Sequence, residues 1–326
     1  MERNSLIDNS FTAPIEDRLK LVEERMRAQS DGHHAAVGAA LHHLLSSGGK
    51  RIRVVVTLLT GKMLGADPDK LVTLAAAIES LHTATLVHDD LIDGAMIRRG
   101  IPTLNAQWSP AATVLTGDFI FSKAAKLAAE TGSVEVMRIF AETLATIVNG
   151  EIIQLFSSKW VANRDDYYRR IYAKTASLFE ASTTTAGILS NSSEFVIASV
   201  KQFGYEIGMA FQIIDDILDF TSEQTTMGKP VASDLRQGLI TLPVLYYLDN
   251  HPNDIDMRNI LDTSFCDENC LSRLLSSIRE SGAIDLAHAE ARQSVRRGLD
   301  VLLKLPVSVE RNALEDLACY IVDREI

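Results

Sequence analysis

Residues 86–93 read LVHDDLID, and nearly the same pattern returns at residues 213–219 as IIDDILD. Each copy follows an apolar run and has two adjacent carboxylates, two apolar residues and a third carboxylate. An α-helix turns by ~100° per residue, so Asp89 and Asp93 share one face, while Asp90 points to another side. The same geometry relates Asp215, Asp219 and their neighbour. The pattern predicts two long apolar helices, each with a paired carboxylate face.

These carboxylate pairs break local rules of helix stability. Like charges one turn apart destabilise a helix by about 0.2–0.5 kcal/mol, and burial without a partner costs more. A single acidic helix end is ordinary, because Asp is favoured as a cap and near the positive end of the helix dipole. Two matched pairs in apolar sequence instead need cations, and Mg²⁺ prefers carboxylate oxygen. We therefore predict that both motifs bind divalent cations.

The composition limits the class of protein. Apolar residues make up 46% of the 326 residues, which is enough for a large core, and 6% aromatics with few glycines argue against an all-β protein. The 43 acidic and 32 basic residues give a net charge of −11. That charge disfavours binding to nucleic acid or to an anionic membrane. A phosphate substrate would then need metal ions to approach so acidic a chain.

The cysteines and the hydropathy pattern suggest a compartment. Cys266, Cys270 and Cys319 are too few for a disulfide framework and have no companions at zinc-site spacing. The chain opens with polar and charged residues rather than a signal peptide, and no uninterrupted apolar run reaches ~20 residues. We expect a cytoplasmic protein without stable membrane insertion.

Basic residues cluster at two places. Residues 48–53 read GGKRIR, so Lys50 and Arg53 project from one side at the start of a new helix, where backbone N–H groups suit a phosphate. Basic residues at a surface helix boundary are an equally ordinary reading. Arg98 and Arg99 lie in a loop directly after the first aspartate motif and could clamp an anion. A lone Lys174 in a later helix would normally lie on a solvated face.

Helical spacing recurs along the whole chain. No stretch shows the sustained alternation typical of strands, and no linker is long enough to separate two domains. The sequence predicts one all-α domain over residues 1–326, with residues 1–14 as a loose lead-in.

Taken together, these motifs resemble those of the all-trans polyprenyl diphosphate synthases, from about residue 41 to residue 248. The segments that carry the resemblance are both aspartate motifs, Gly48-Gly49-Lys50-Arg51-Ile52-Arg53, Arg98-Arg99-Gly100, Lys174-Thr175, Phe211-Gln212, and Gly228-Lys229-Pro230 with Asp234. The resemblance implies a single-domain helical bundle with a central apolar cavity, the two motifs facing each other across its mouth. It also implies a homodimer.

The resemblance assigns roles to individual residues. It implies that Asp89, Asp93 and Asp215 hold Mg²⁺ ions that bridge an allylic diphosphate, with Asp219 as a less direct member of the metal site. The residues implied to bind the allylic diphosphate are Arg98, Lys174, Thr175, Gln212 and Lys229. Those implied to bind isopentenyl diphosphate are Lys50, Arg53, His82 and Arg99. Of these, the three metal-holding aspartates, Lys174 and Arg98 are implied to be catalytic.

The implied reaction is a repeated head-to-tail condensation. Metal ions and cations stabilise the departing diphosphate, isopentenyl diphosphate attacks the allylic carbocation, and a dry cavity keeps water away. In this family, bulky residues four or five positions before the first motif block the growing chain. Here Ala84 and Thr85 are small, and Leu81 lies deeper on the same helix. We therefore predict a product longer than geranylgeranyl.

Several alternatives stay open. One is a short-chain farnesyl or geranylgeranyl synthase, and another is a catalytic or regulatory subunit of a heteromeric prenyl diphosphate synthase. A regulatory subunit would be expected to lose aspartates from one motif, and this chain keeps all six. A class I terpene cyclase would lack the second motif and the Gly-Gly-Lys segment. One departure concerns the allylic clamp: many members have a lysine directly after the glycine of the Asp-Leu-x-x-Gly segment, and this chain has Leu239 there. Arg236 is a candidate to compensate for the missing charge.

Overall fold

The computed structural model describes residues 10–46, 48–221, 231–263, 265 and 267–324. In this part of the chain nearly all regular structure is helical, which confirms the all-α prediction. The helices are α1 Glu16–Arg27, α2 Ala35–Ser46, α3 Ile52–Met63, α4 Pro68–Ile92, α5 Leu104–Gln107, α6 Pro110–Glu130, α7 Val134–Phe156, α8 Arg164–Ile171, α9 Ser177–Leu189, α10 Glu194–Thr221, α11 Ser233–Arg236, α12 Leu242–Asn250, α13 Ile255–Thr263, α14 Glu268–Glu280, α15 Ala283–Leu302 and α16 Val309–Asp323.

Short elements complete the description. One antiparallel hairpin pairs β1 (Ile97–Arg98) with β2 (Ile101–Pro102). A 3-10 helix covers Ser10–Ile15, and in it Phe11 and Ile15 are buried. The predicted loose lead-in over residues 1–14 is therefore wrong for residues 10–14, where two apolar side chains bury this short helix against the rest of the protein. Residues 1–9 lie outside the described range.

Contacts between Cα atoms divide the chain into two compact units. Unit 1 comprises residues up to 144, 178–204 and 301–317, and unit 2 comprises residues 145–177, 205–300 and the chain from 318. The first aspartate motif belongs to unit 1 and the second to unit 2. A single domain stays a prediction.

The core of unit 1 is α4, whose middle is buried on every side. Pro68 starts the helix, and the Asp67 carboxylate caps it by accepting the N–H groups of Asp69 and Lys70. Every residue from 71 to 81 is buried, as expected of a central core helix. α4 packs on α6 so closely that a Cβ at Gly117 would lie 2.2 Å from the His88 ring. This packing holds the last turn of α4, with its aspartates, in place.

In unit 2, partly buried polar contacts hold α8 and α10. Arg297 forms two hydrogen bonds, of 2.9 and 2.8 Å, to the Glu206 carboxylate on α10. On α8, the Tyr168 hydroxyl donates to Glu290, which also accepts from Tyr246 on α12 at 2.6 Å. These contacts join α15 to both helices and so hold the segment that carries the second motif.

Two helices among the described residues, α4 and α7, are long and apolar enough by length and composition to cross a membrane. The sequence predicts no apolar run long enough to span a membrane. α4 and α7 reach that length because a helix can be apolar on average although it contains isolated polar residues. The apolar window of α4 is 78% buried, as in the core of a soluble protein, whereas that of α7 is only 17% buried. The exposed apolar residues near the end of α7 are Val148, Ile152, Ile153, Leu155 and Phe156.

Candidate active site

The three aspartates of the first motif have different environments. Asp90 is buried and accepts a hydrogen bond of 2.8 Å from Nε of Arg98. Asp89 is half-buried, and Asp93 is exposed as the C-cap of α4. The helix angles anticipated this division. Asp90 serves the fold of the loop that follows, and Asp89 and Asp93 present carboxylates one turn apart.

The donor set at Asp89 and Asp93 fits Mg²⁺. Among the described residues, no group of three His, Cys, Asp or Glu side chains could hold a metal by itself. Mg²⁺ usually binds one or two carboxylates and completes its octahedron with water and substrate phosphates. Two carboxylates on one helix face therefore match an ion that binds together with a phosphate.

The hairpin after α4 positions Arg98 and Arg99. Arg98 turns back to Asp90, and Arg99 has the positive φ of 52° that follows from the tight β1–β2 turn. Nη1 of Arg99 donates to the carbonyl of Gly48 at 2.5 Å. A Cβ at Gly49 would lie 2.2 Å from that nitrogen, so the glycine pair provides room for Arg99. The structure thus brings Arg99 to the Gly-Gly-Lys segment.

The three cations of that segment have different partners. Arg51 is the N-cap of α3 with a φ of 46°, and its Nη1 lies 2.6 Å from Oε1 of the buried Glu79. Although burial opposes its charge, this carboxylate raises the pKa of Arg51. Lys50 is exposed, and Arg53 is buried. Arg51 therefore stabilises the fold through its ion pair with Glu79. Lys50 and Arg53 lie before and after it in the sequence.

Arg53 meets two rings. Its Nη1 lies 3.2 Å from Nε2 of His82, and its guanidinium carbon lies 4.8 Å from the centre of the Phe179 ring. Burial and the positive charges of Arg53 and Arg99 hold the pKa of His82 well below its ordinary value. A neutral His82 can accept from Arg53, and Phe179 holds the guanidinium by a cation–π contact. No sequence pattern indicated Phe179.

The second motif is tied to the end of the chain. Arg324 forms an ion pair with Asp215, donates to the carbonyl of Phe211 at 2.9 Å, and lies 4.0 Å from the centre of the Phe211 ring. The side chain of Asp215 is 40% exposed and that of Arg324 only 7%. The motif therefore presents one accessible carboxylate, at Asp215, with a buried arginine against it.

The other two aspartates of this motif are buried. Asp216 accepts hydrogen bonds of 2.8 Å from Tyr167 and from Gln212, and burial together with the Asp234 carboxylate raises its pKa to about 8. Asp219 accepts the backbone N–H groups of Ser233 and Asp234, each at 3.1 Å. Asp219 thus anchors the start of α11, which is a structural task, and Asp215 is the better placed of the two implied metal ligands.

Lys174 and Thr175 lie in a π-helical turn, Tyr172–Ala176, between α8 and α9. Such turns are rare and often occur at functional sites. Lys174 is 3.2 Å from the Glu151 carboxylate, and the Thr175 hydroxyl donates to Oε1 of Gln212 at 2.6 Å. Lys174 is exposed, as a lone helical lysine usually is, and it also reaches a cavity.

That cavity lies within unit 2 and has a volume of about 80 Å³. Its lining residues are Gln154, Arg170, Ile171, Lys174, Gln212, Asp216, Asp234, Leu239 and Thr241. Lys174 and Gln212, which are assigned to the allylic site, line this cavity. Thr175, assigned to the same site, lies beside it and contacts Gln212. Lys229 lies outside the described residues.

The suggested compensation by Arg236 is wrong. Its Nη1 is 2.6 Å from the Glu268 carboxylate, and its Nε donates to the carbonyl of Val231. These two partners hold the Arg236 side chain. Among the described residues, Arg236 does not line the cavity.

The small residues assigned to chain length differ in burial. Leu81 and Ala84 are fully buried, and Thr85 is half-buried, with its hydroxyl on the carbonyl of His82. Ala84 belongs to a core cluster with Leu41 and Ile120. Thr85 lies on the same side of α4 as Asp89, by helix geometry.

The family model described as polyprenyl synthetase matches residues 34–278. The chain is 36% identical over 313 residues to the heptaprenyl diphosphate synthase component 2 of Geobacillus stearothermophilus, covering 95% of this chain and 97% of that protein. It is 34% identical over 288 residues to the octaprenyl diphosphate synthase of Escherichia coli (strain K12), covering 87% and 88%.

Solved structures give the same result. A decaprenyl diphosphate synthase from Rhodobacter capsulatus has a TM-score of 0.89 and 31% identity, covering 97% of this chain and 99% of that chain. A polyprenyl synthase from Caulobacter crescentus CB15, complexed with calcium and isoprenyl diphosphate, has a TM-score of 0.89 and 31% identity, covering 99% of each chain.

Proposed function

Because the chain belongs to the polyprenyl synthetase family and is a prenyltransferase, we propose that it condenses an allylic diphosphate repeatedly with isopentenyl diphosphate, head to tail. The product is an all-trans polyprenyl diphosphate longer than geranylgeranyl. The observation that carries this proposal is the cluster in unit 1, where Arg53, neutral His82 and Arg99 surround the Gly-Gly-Lys segment. Relatives named for hepta- and octaprenyl products support the long-chain reading.

The unit 1 cluster is assigned to isopentenyl diphosphate. Lys50 and Arg53 follow the glycine pair, and Arg99 is held at Gly48. Guanidinium groups bind phosphate oxygens through paired, charge-assisted hydrogen bonds, and a lysine adds a compact charge. Neutral His82 accepts a hydrogen bond from Arg53 and so orients its guanidinium, without adding a positive charge.

The unit 2 cavity is assigned to the allylic diphosphate. Lys174 and Gln212 line it, and Thr175 fixes the Gln212 amide. With Gln212 Nε2 donating to Asp216 and its Oε1 accepting from Thr175, the amide is oriented on both sides. Lys174 then provides a positive charge to the leaving diphosphate.

Mg²⁺ is the proposed cofactor. Asp89 and Asp93 in unit 1 and Asp215 in unit 2 present the accessible carboxylates, and Asp219 accepts backbone N–H groups within unit 2. When bound, Mg²⁺ would neutralise the diphosphate and make it a better leaving group. Hard oxygen donors in this number suit it, and the negative charge of the chain no longer opposes a polyanionic substrate.

The apolar residues of α4 have a protective role. An allylic carbocation reacts with water, so the path of the growing chain must be dry. Leu81 and Ile78 lie about two and three turns before Asp89, both are buried, and small Thr85 leaves space beside Asp89. We propose that this side of α4 borders the growing product.

A second copy of the chain is the proposed partner of α7. The exposed apolar residues near its end, among them Ile152 and Phe156, are of the kind that dimer interfaces cover. The first half of α7 carries Arg138 with two ion pairs, which a bilayer would disfavour. We expect Ile152→Glu with Phe156→Glu to convert a dimer into a monomer in sedimentation. A monomeric wild type, or one that floats with lipid vesicles, contradicts this assembly.

The heteromeric alternative has a specific observation in its favour, because one relative is named a component 2. Such a subunit would need a partner chain for turnover. Both units keep their accessible aspartates here, which argues against a regulatory subunit that has lost a motif. We also propose a cytoplasmic location, because the net charge of −11 disfavours an anionic membrane surface.

Turnover and metal binding test the proposal together. Purified protein with Mg²⁺, farnesyl diphosphate and radiolabelled isopentenyl diphosphate should incorporate label, and a chelator should abolish incorporation. Asp89→Asn and Asp215→Asn should each lower turnover by roughly 100-fold or more and weaken Mg²⁺ binding in calorimetry. The control is Asp300→Asn, at an exposed position on α15. No incorporation by the wild type, restored by cell extract, would instead establish the heteromeric case.

A further inference from the structure

The cavity in unit 2 has an apolar residue at the position where the family resemblance implies a lysine. Leu239 lines it, next to Gln212 and Asp216 of the second motif segment. Lys174 reaches the same cavity but lies 3.2 Å from the Glu151 carboxylate, which offsets part of its charge. A diphosphate bound here would need another cation.

Arg170 reaches the place where that cation is missing. It lies near the end of α8, and its Nη2 donates to the carbonyl of Ile240 at 2.6 Å. Ile240 directly follows Leu239, so the guanidinium lies against the backbone beside position 239. The Tyr167 ring, whose centre is 5.7 Å from the guanidinium carbon, supports it on another side. The side chain thus has a fixed position in the cavity wall.

Arg170 also has donors to spare. A guanidinium has five N–H donors, and the contact with Ile240 uses one of them. In the described part of the chain no carboxylate forms an ion pair with Arg170, whereas Arg236 is paired with Glu268. Hence no ion pair among the described residues engages Arg170, although its charge also acts on the buried carboxyl of Asp216.

A second polar group in the cavity has no partner. Thr241 is 3% exposed, and its hydroxyl finds no hydrogen-bond partner among the described residues. A buried hydroxyl without a partner is costly, and a ligand oxygen would satisfy it. Arg170 and Thr241 line the same cavity and together offer a charged and a neutral donor to an oxyanion.

We propose that Arg170 binds the diphosphate of the allylic substrate in this cavity and supplies, from α8, the positive charge that Leu239 lacks. The inference rests on the proposed function for the identity of the substrate. Thr241 donates a further hydrogen bond to the same diphosphate.

Inorganic pyrophosphate is the probe for the test, with binding measured by calorimetry in metal-free buffer. Arg170→Gln keeps a donor for Ile240 but removes the charge, so pyrophosphate should bind roughly 10- to 100-fold more weakly. The Michaelis constant for farnesyl diphosphate should rise similarly. The double variant Arg170→Gln with Leu239→Lys should recover most of the loss, because the lysine returns a cation to the same cavity. Arg169→Gln is the control, since Arg169 is exposed and paired with Asp166.

Folding is checked by urea unfolding of each variant, and Arg170→Lys, which keeps the charge, should bind nearly as well as the wild type. Equal pyrophosphate binding by the wild type and Arg170→Gln overturns the inference, as does a wild type without affinity for pyrophosphate. A double variant that stays as weak as Arg170→Gln also overturns it. Binding that depends on Arg170 in a protein without prenyltransferase turnover would contradict the proposed function and leave this inference standing.

Discussion

Removing the Glu79 carboxylate is predicted to destabilise the protein strongly, because Arg51 would keep a buried charge without its partner. The side chains of Arg51 and Glu79 are 16% and 6% exposed, and their closest N–O distance is 2.6 Å. Breaking such a buried pair from one side costs about 3–5 kcal/mol. Glu79→Leu should therefore lower the melting temperature by roughly 6–20 °C, at about 2–4 °C per kcal/mol.

A matched exposed pair provides the control. Glu16 and Lys20 form an ion pair 3.2 Å apart with side chains 62% and 66% exposed. Exposed pairs contribute about 0–1 kcal/mol, so Glu16→Leu should change the melting temperature by only a few degrees. The comparison separates the effect of burial from that of losing a carboxylate.

A double-mutant cycle completes the measurement. Arg51→Met with Glu79→Leu removes both charges, and apolar replacement of a whole buried pair is often close to neutral. The double variant should thus be clearly more stable than Glu79→Leu, with a coupling of about 2 kcal/mol or more. Urea unfolding at constant pH gives these values. Additive effects, or a Glu79→Leu melt no lower than that of Glu16→Leu, would refute the assignment of Arg51 to the fold.

Three further predictions concern other residues. Below pH 6.5 the unfolded chain gains a proton at His82 that the folded protein does not, because the pKa of His82 is depressed in the folded protein. The free energy of unfolding should therefore fall as the pH is lowered. It should fall more steeply in the wild type than in His82→Gln, by about 1 kcal/mol per pH unit in urea titrations. Thr85→Phe and Ala84→Phe should both shorten the product on chromatography. Ala84→Phe should also lower the free energy of unfolding by about 1–3 kcal/mol, since that site is fully buried. Unaltered product lengths would contradict the prediction that the small residues at positions 84 and 85 leave room for a long product. Tyr167→Phe should cost about 1–3 kcal/mol in urea, as the buried Asp216 loses a hydrogen bond; an unchanged midpoint would contradict this.

The helices could be predicted because their signals are local. The apolar run before each aspartate motif predicts the helices α4 and α10, and Pro68 marks the start of α4. The helix angle alone separated Asp90 from Asp89 and Asp93, and burial follows that separation. Local periodicity determines which face a residue occupies, and for these helices that was enough.

The partners of site residues could not be predicted in the same way. Arg324 is far along the chain from Asp215, and Phe179 is far from Arg53. Their meeting depends on tertiary packing, which single-sequence patterns do not contain. The role of Arg51 was hidden for the same reason: its sequence neighbours resemble it, and only the contact with Glu79 distinguishes it.

The missing lysine shows how sequence can pose a question that only geometry answers. The sequence marked Leu239 as a departure and offered Arg236, the nearest arginine, as a replacement. The contact between Arg170 and Ile240 directs attention to another helix, because proximity in the fold and proximity in the chain differ here. Arg236 is engaged by Glu268 instead.

Product length measured on the purified chain tests the central claim most directly. With Mg²⁺, farnesyl diphosphate and excess radiolabelled isopentenyl diphosphate, the products would be dephosphorylated and separated by reverse-phase chromatography against prenol standards. The account predicts that this chain alone yields an all-trans prenol series whose main member is longer than geranylgeraniol. A main product that stops at geranylgeraniol, or label that stays in isopentenol with and without cell extract, would contradict it.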